Sequence, residues 1–127
     1  MEQKVIVISN QKGGVSKSVS SVSLAGVYSE MGKTLLVDCD PQANASLALG
    51  VKPHDFKKGV ADLFENPENF PVNEAVINSN GIDVLASDIS LSQVEWELWQ
   101  SGSNDISLLR EGLKNSDHEF IIIDTPP

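Results

Sequence analysis

Short apolar runs and longer amphipathic stretches alternate along the chain. The apolar runs predict four β-strands, which are Val5–Ser9, Thr34–Asp38, Ile82–Ala86 and Phe120–Asp124. The first run is continuously apolar up to Ser9, which is typical of a strand buried on both faces of a sheet.

Helical periodicity separates the predicted strands. Three sets of apolar residues recur at helical spacing: Leu24, Val27, Tyr28 and Met31; Leu91, Val94 and Leu98; and Ile106, Leu109 and Leu113. Gly32 supplies a stop signal after the first set. Between residues 59 and 80 we expect short helices interrupted by Pro67 and Pro71.

Strands that alternate with helices require crossover connections, which are right-handed between parallel strands. The sequence therefore predicts an α/β fold, with a doubly wound, mainly parallel sheet and helices on both faces. At 127 residues, the chain is long enough for one domain with its own core.

The segment after the first strand has the composition of a phosphate-binding loop. Residues 10–18 read Asn-Gln-Lys-Gly-Gly-Val-Ser-Lys-Ser. Glycines let backbone N–H groups approach an anion closely, and the following helix directs its positive end at the same place. Lys17 would reach the terminal phosphates of a nucleoside triphosphate, and the Ser18 hydroxyl would ligate Mg²⁺. The alternative is a Gly-Gly turn followed by a chance lysine.

Two positions distinguish this loop from the common G-x-x-x-x-G-K-[ST] pattern. A second lysine, Lys12, precedes the glycines, and Ser16 stands where the common pattern has its last glycine. The arrangement K-G-G-x-x-K-[ST] resembles the deviant Walker A loop of the ParA/MinD-type ATPases. The Asn10-Gln11 lead-in is most similar to the ParA (Soj-like) branch of plasmid and chromosome partition proteins. The resemblance implies a P-loop ATPase that uses ATP and Mg²⁺.

The resemblance assigns nucleotide binding to nine consecutive residues, Gln11, Lys12, Gly13, Gly14, Val15, Ser16, Lys17, Ser18 and Val19. It also implies that Lys12 is catalytic, because in the family this lysine crosses a dimer interface and contacts the phosphates of the other subunit. There it stabilises charge as an arginine finger does. A solvent-facing loop lysine is the alternative.

Acidic residues follow the second and fourth predicted strands. Asp38 and Asp40 are two residues apart, so a strand places them on the same side. They resemble the family's D-x-D-P-Q-x-N segment, which implies that Asp38 lies near the Mg²⁺ water shell and that Asp40 orients or activates the attacking water. Asp124 resembles a Walker B acid, so the implied metal site is Ser18, Asp38 and Asp124. A helix or turn cap is the alternative for the first pair.

Charge and family resemblance together shape the expected partners. The net charge of −9 argues against a broad DNA-binding surface here, and the Lys57-Lys58 pair is predicted to be solvated. The resemblance implies a homodimer formed on ATP binding, DNA contacts through downstream segments, and a partner protein that stimulates hydrolysis. We expect a prokaryotic cytoplasmic protein, nucleoid-associated when ATP-bound, with no membrane contact. A non-catalytic or hydrolysis-impaired nucleotide-binding module and a MinD-like membrane-associated ATPase remain alternatives.

The chain stops directly after the fourth predicted strand. Because the family it resembles is longer, we expect residues 1–127 to be a single nucleotide-binding domain, truncated after the Walker B strand. A naturally short gene is the alternative. In either case we expect an unpaired sheet edge, which invites association.

A few remaining residues have simpler interpretations. Cys39 is predicted to be a small core residue pointing away from the acids. His54 and His118 are predicted to lie in polar loops without a metal or general-base role. Trp96 and Trp99 lie on a helix face that lacks the leucines, and we expect them to pack against the rest of the protein. A partner surface is the alternative.

The serine at position 16 decides how well the loop holds a nucleotide. If residue 16 needs a positive φ, its side chain costs about 1–3 kcal/mol, which weakens binding by about ten- to a hundredfold. Ser16→Gly is then expected to raise ATP affinity by this factor in a nucleotide titration. Equal or weaker binding by the variant would show that residue 16 has an ordinary φ and that the serine imposes no strain.

Overall fold

The computed structural model describes residues 2–9 and 15–125, without the side chains of residues 15–18. Its strands are β1 (Lys4–Ile8), β2 (Thr34–Asp38), β3 (Ile77–Ser79), β4 (Ile82–Leu85) and β5 (Phe120–Asp124). Its helices are α1 (Val15–Ser29), α2 (Asn44–Ala48), α3 (Val60–Glu65), α4 (Val72–Ala75), α5 (Ser90–Ser101) and α6 (Asp105–Gly112). Two short 3₁₀ turns are Pro53–Asp55 and Pro67–Asn69.

The strands form one sheet in the order β1-β5-β2-β4-β3. All neighbouring pairs are parallel except β3 and β4. Helix α1 packs on one face of the sheet, and α3, α5 and α6 supply the core of the other. The predicted α/β fold, mainly parallel with helices on both faces, is confirmed. Among the described residues, no helix is both long and apolar enough to cross a lipid bilayer.

Alternate residues of the central strands β2 and β5 are buried in two separate hydrophobic cores. Leu36 of β2 and Ile122 of β5 point toward α1, while Leu35 and Ile121 point toward α3, α5 and α6. Both strands are buried along their whole length. Burial on both faces explains why these two segments read as uninterrupted apolar runs and were predicted with their observed bounds.

The buried face of α1 does not coincide with the apolar set at helical spacing. Ser21 and Ala25 are fully buried, whereas Val27 and Met31 are exposed. The other two members of the predicted face are half-buried. Small side chains let the helix lie close to β2 and β5, so its larger residues end up at the flanks and on the outside. The helical spacing of these apolar residues therefore marks the helix correctly but does not identify its buried side.

The first strand is an exposed edge strand, not one buried on both faces as predicted. Among the described strands β1 pairs only with β5, and Val5 and Val7 are 52% and 56% exposed. A groove of about 450 Å³ runs beside β1 between these valines and α6. Ile106 borders this groove and is exposed, while Leu109 and Leu113 of the same predicted face are buried. Ile106, Leu109 and Leu113 all line this groove, so they share one face as predicted, although Ile106 is exposed.

The strand β3 was not predicted. It forms an antiparallel hairpin with β4 through Asn80 and Gly81, whose φ angles are 52° and 87°. Asn-Gly is a strong signal for a two-residue hairpin turn, because both central residues need a positive φ. The predicted short helices between residues 59 and 80 are otherwise present as α3 and α4.

His118 is buried at the end of the sheet where β5 begins. Its Nε2 lies 2.8 Å from Oδ2 of Asp83, and its Nδ1 lies 2.6 Å from Oγ of Ser116. The Gln3 side chain donates to the backbone carbonyls of Ser116 and His118 at 2.9 and 3.0 Å. His118 therefore ties β5 to β4 and to the N-terminal segment, while His54 is exposed as expected.

The exposed edge generates a prediction about association. We expect the 127-residue chain, expressed by itself, to associate with rising concentration in sedimentation velocity, because β1 presents unpaired backbone groups beside an apolar groove. Val7→Lys is expected to suppress this association, while Val27→Lys, on the exposed side of α1, leaves it unchanged. A stable monomer at high concentration would contradict the prediction.

Candidate functional site

The pairing of β5 with both neighbours brings two acids together at one edge of the sheet. Asp38 and Asp124 are register partners, each the last residue of its strand. On the other side of β5, Asp124 is in register with Ile8, the last residue of β1. The segment that leaves β1 therefore starts beside this acid pair, at the carboxyl edge where ligands bind in open α/β sheets.

Asp38 is fully buried and held by three hydrogen bonds. Its Oδ1 accepts the backbone N–H of Asp40 at 3.0 Å. Its Oδ2 accepts both the backbone N–H of Ser46 at 2.9 Å and the Ser46 hydroxyl at 2.6 Å. These donors orient the carboxylate. The carboxylate in turn is an acceptor for the first turn of α2, whose own N-cap residue makes no side-chain cap.

Burial raises the pKa of Asp38 to about 6. The hydrogen bonds from Ser46 and Asp40 act in the opposite direction, and the charge of Asp124 adds to the rise. A buried carboxylate beside a second one is costly to ionise unless a cation is present. Electrostatics therefore favour a cation at this edge.

The acid predicted to act on water lies in a tightly organised turn. Oδ1 of Asp40 accepts the backbone N–H of Gln42 at 3.0 Å, and its Oδ2 accepts the Asn44 side chain at 3.1 Å. Ala43, between Gln42 and Asn44 in this turn, has a left-handed backbone with φ 58° and ψ 36°. A non-glycine residue in this region is strained, and such strain clusters at ligand sites and switch segments.

Asp124 is also fully buried, and α1 reaches it directly. The Ser21 hydroxyl donates to Oδ1 of Asp124 at 2.6 Å. The backbone carbonyl of Asp124 accepts the N–H of Cys39 at 2.8 Å. The Cys39 side chain itself lies in the core below α3, α5 and α6, as predicted, and burial raises the pKa of its thiol.

Most of the predicted phosphate-binding residues lie outside the described part of the chain. Gln11, Lys12, Gly13 and Gly14 are not described, nor are the side chains of Val15, Ser16, Lys17 and Ser18. Residues 15–19 form the first turn of α1, and the Val19 side chain is exposed. Because right-handed helical residues have a negative φ, the position of Ser16 within α1 supports the ordinary-φ alternative.

Ser46 is a site residue that sequence reasoning missed. Besides donating to Asp38, its hydroxyl accepts the backbone N–H of Ser87 at 3.2 Å. One buried hydroxyl thus connects the ends of β2 and β4 with α2. The available sequence signal is a small polar residue two positions after Asn44, where the D-x-D-P-Q-x-N segment ends.

The residues at this edge fit a magnesium ion. Mg²⁺ is usually bound by one or two carboxylates together with phosphate oxygens and water, not by a cage of protein ligands. Asp38 and Asp124 supply two adjacent buried carboxylates. Among residues 2–9 and 15–125 there is no group of three or more His, Cys, Asp or Glu side chains arranged to hold a metal.

A mainly parallel sheet with paired acids at its carboxyl edge defines an α/β protein, and the sequence of residues 10–18, which follow β1, is that of the P-loop class. Comparison with known proteins supports this. A family model described as an AAA domain (AAA_31) matches residues 3–127. The sporulation initiation inhibitor protein Soj of Bacillus subtilis is 39% identical over 128 residues, which cover 98% of this chain and 50% of Soj. The chromosome partitioning protein ParA of Caulobacter vibrioides is 34% identical over 131 residues, or 98% of this chain and 48% of that protein.

Two solved structures have the same fold. An ATP complex of a Cyanothece McdA variant superposes with a TM-score of 0.85 and 26% identity over 99% of this chain and 49% of that one. Cobyrinic acid a,c-diamide synthase of Mycobacterium smegmatis, with bound ATP analogue and magnesium, gives a TM-score of 0.84 and 28% identity over 98% of this chain and 52% of that one.

The chain belongs to this AAA domain family, and its Soj and ParA relatives identify it as a ParA/MinD-type member. It spans about half the length of the curated relatives it matches.

Ser46→Ala tests how the acid pair is held. The folded-state pKa of Asp38 lies above its ordinary value, so the carboxylate opposes folding increasingly as pH rises from about 4 to about 6. Removing a donor to the ionised form increases this penalty. We therefore expect Ser46→Ala to lower the free energy of unfolding by about 1–3 kcal/mol at pH 7.5 and by less at pH 4, without Mg²⁺.

Chemical denaturation at the two pH values measures this effect. Ser23→Ala, an exposed serine on α1, is the matched control and is expected to change little at either pH. An equal loss of stability at both pH values would show that Ser46 does not interact preferentially with the ionised carboxylate.

Proposed function

We propose that this chain is the nucleotide-binding part of a Mg²⁺-dependent ATPase switch of the ParA type that acts in plasmid or chromosome partitioning. The observation that carries the proposal is the register of Asp38 and Asp124, which end neighbouring strands. They are level with the end of β1, after which the glycine- and lysine-rich segment follows in the sequence. The name of the chromosome partitioning protein ParA supports the partitioning role, and the ATP complex of the McdA neighbour supports nucleotide binding.

In this proposal the loop residues Gln11 to Val19 surround the phosphates of ATP. Lys17 contacts the terminal phosphates, and the Ser18 hydroxyl joins Asp38 and Asp124 in holding Mg²⁺. A magnesium ion here would neutralise phosphate charge during phosphoryl transfer. The buried acid pair supports this assignment, because two adjacent carboxylates favour a divalent cation.

Asp40 is proposed to orient the attacking water. Two hydrogen bonds from its own turn, from Gln42 and Asn44, hold its carboxylate in place two residues beyond Asp38. Nucleotide binding could be coupled to this turn through the left-handed backbone at Ala43, which stores strain next to the acids. Release of that strain would move the turn as a unit, as a switch segment requires.

Lys12 is proposed to act across an ATP-dependent homodimer, on the phosphates bound by the other subunit. DNA contacts are assigned to parts of the whole protein outside these 127 residues, because the chain carries a net charge of −9. Nucleoid association in the ATP-bound state and stimulation by a partner protein complete the proposed cycle.

The lysine assignment is tested by hydrolysis in the whole protein. Lys12→Ala is expected to reduce the kcat for Mg²⁺-ATP by about 100-fold or more, because a positive group aimed at the transferring phosphoryl is lost. Lys57→Ala is the matched control, since this exposed lysine lies in the loop before α3. It is expected to hydrolyse ATP like the wild type.

Three other outcomes would each reject part or all of the proposal. Equal rates in Lys12→Ala and the wild type would reject the trans-acting lysine. Mg²⁺-dependent ATP binding without hydrolysis in the wild type would favour the non-catalytic module instead. Absence of Mg²⁺-dependent ATP binding would reject the proposed function as a whole.

A further inference from the structure

The outer side of α5 exposes large apolar side chains. Trp96 and Trp99 are 55% and 79% exposed, and Ile89, directly before the helix, is 68% exposed. Leu91 and Val94 on the opposite side of the helix are buried in the core. We call Ile89, Trp96 and Trp99 the α5 aromatic face. Exposed indoles at this density mark interaction surfaces more often than ordinary solvated ones.

This face lies in the acidic part of the chain. Residues 59–109 contain nine Asp and Glu residues and no Lys, Arg or His. They therefore account for the whole net charge of −9, while the rest of the chain is balanced. The excess of negative charge is therefore confined to the segment of the sequence that contains α5.

The acids near α5 have no cationic partners among the described residues. Glu97 hydrogen-bonds only to Gln93 on its own helix, and the ion pairs of Lys33 and Lys114 use acids elsewhere. Burial, and then the charges of Asp105 and Asp40, raise the pKa of Glu95. The carboxylates around α5 therefore repel one another, and an added cation would relieve this repulsion.

We propose that the α5 aromatic face binds an amphipathic segment of a partner protein that carries both apolar residues and Lys or Arg. The apolar residues cover the indoles, the cationic side chains lie over the indole rings or beside the acids, and the surrounding charge attracts the segment. A second copy of this chain would bring the same excess of negative charge, and a nucleic acid would be repelled. The inference does not rest on ATP hydrolysis.

The test is a titration of the whole protein with a synthetic amphipathic helix of leucine and lysine, about 18 residues long. A peptide with glutamate in place of lysine is its control. The readout is tryptophan fluorescence emission. Both tryptophans of the chain lie on the α5 aromatic face. Subtracting the emission spectrum of Trp96→Ala/Trp99→Ala from that of the wild type therefore leaves the emission of this face alone. We expect the lysine peptide to shift this difference emission to shorter wavelength, with binding about tenfold weaker at high salt.

Matched variants separate the face from general charge attraction. With a fluorescently labelled lysine peptide, Trp96→Ala/Trp99→Ala is expected to weaken binding about tenfold or more. Met31→Ala, at a comparably exposed residue just after α1, leaves it unchanged. Glu97→Gln is expected to weaken binding more than Glu30→Gln, an exposed acid outside the face.

Three results would overturn the proposal. The first is equal binding of the glutamate peptide. The second is unchanged affinity of the lysine peptide for the double tryptophan variant. The third is a difference emission already typical of buried indole in the whole protein without peptide, which would show that the protein's own remaining parts cover the face.

Discussion

The in-register pairing of β5 with β1 and β2 is the constraint on which the site depends. It places Asp38 directly beside Asp124, and both at the level where the chain leaves β1. A shift by one residue would turn each of these side chains to the opposite face of the sheet. The two cores, each fed by alternate residues of β2 and β5, hold the register because such a shift would also exchange their buried residues.

Hydrogen-bond donors partly compensate the burial of the two acids. Ser46 donates twice to Asp38, and Ser21 donates to Asp124 from α1. The donors lower the cost of burying the carboxylates but leave their mutual repulsion, which a cation would relieve. The repulsion between the two carboxylates thus opposes folding without a cation and favours cation binding at this edge.

Two exposed apolar regions are separate from the acid pair and differ in character. The groove beside β1 combines unpaired backbone groups with aliphatic side chains, so it suits continuation of the sheet or its helical cover. The α5 aromatic face combines indoles with acids, so it suits a cationic partner. The first region reflects an open sheet edge, and the second reflects the uneven distribution of charge along the chain.

The local sequence by itself determined the fold class, the bounds of β2 and β5 and the acids at their ends, because a strand buried on both faces is a continuous apolar run. The Asn80-Gly81 pair is also a sequence signal for the hairpin of β3 and β4, although β3 was not predicted. Only the tertiary structure decided that β1, equally apolar in sequence, is an exposed edge, that α1 is buried through Ala25 instead of Met31, and that Ser46 supports Asp38. These features depend on which elements become neighbours in space, and apolar periodicity along one segment carries no information about its neighbours.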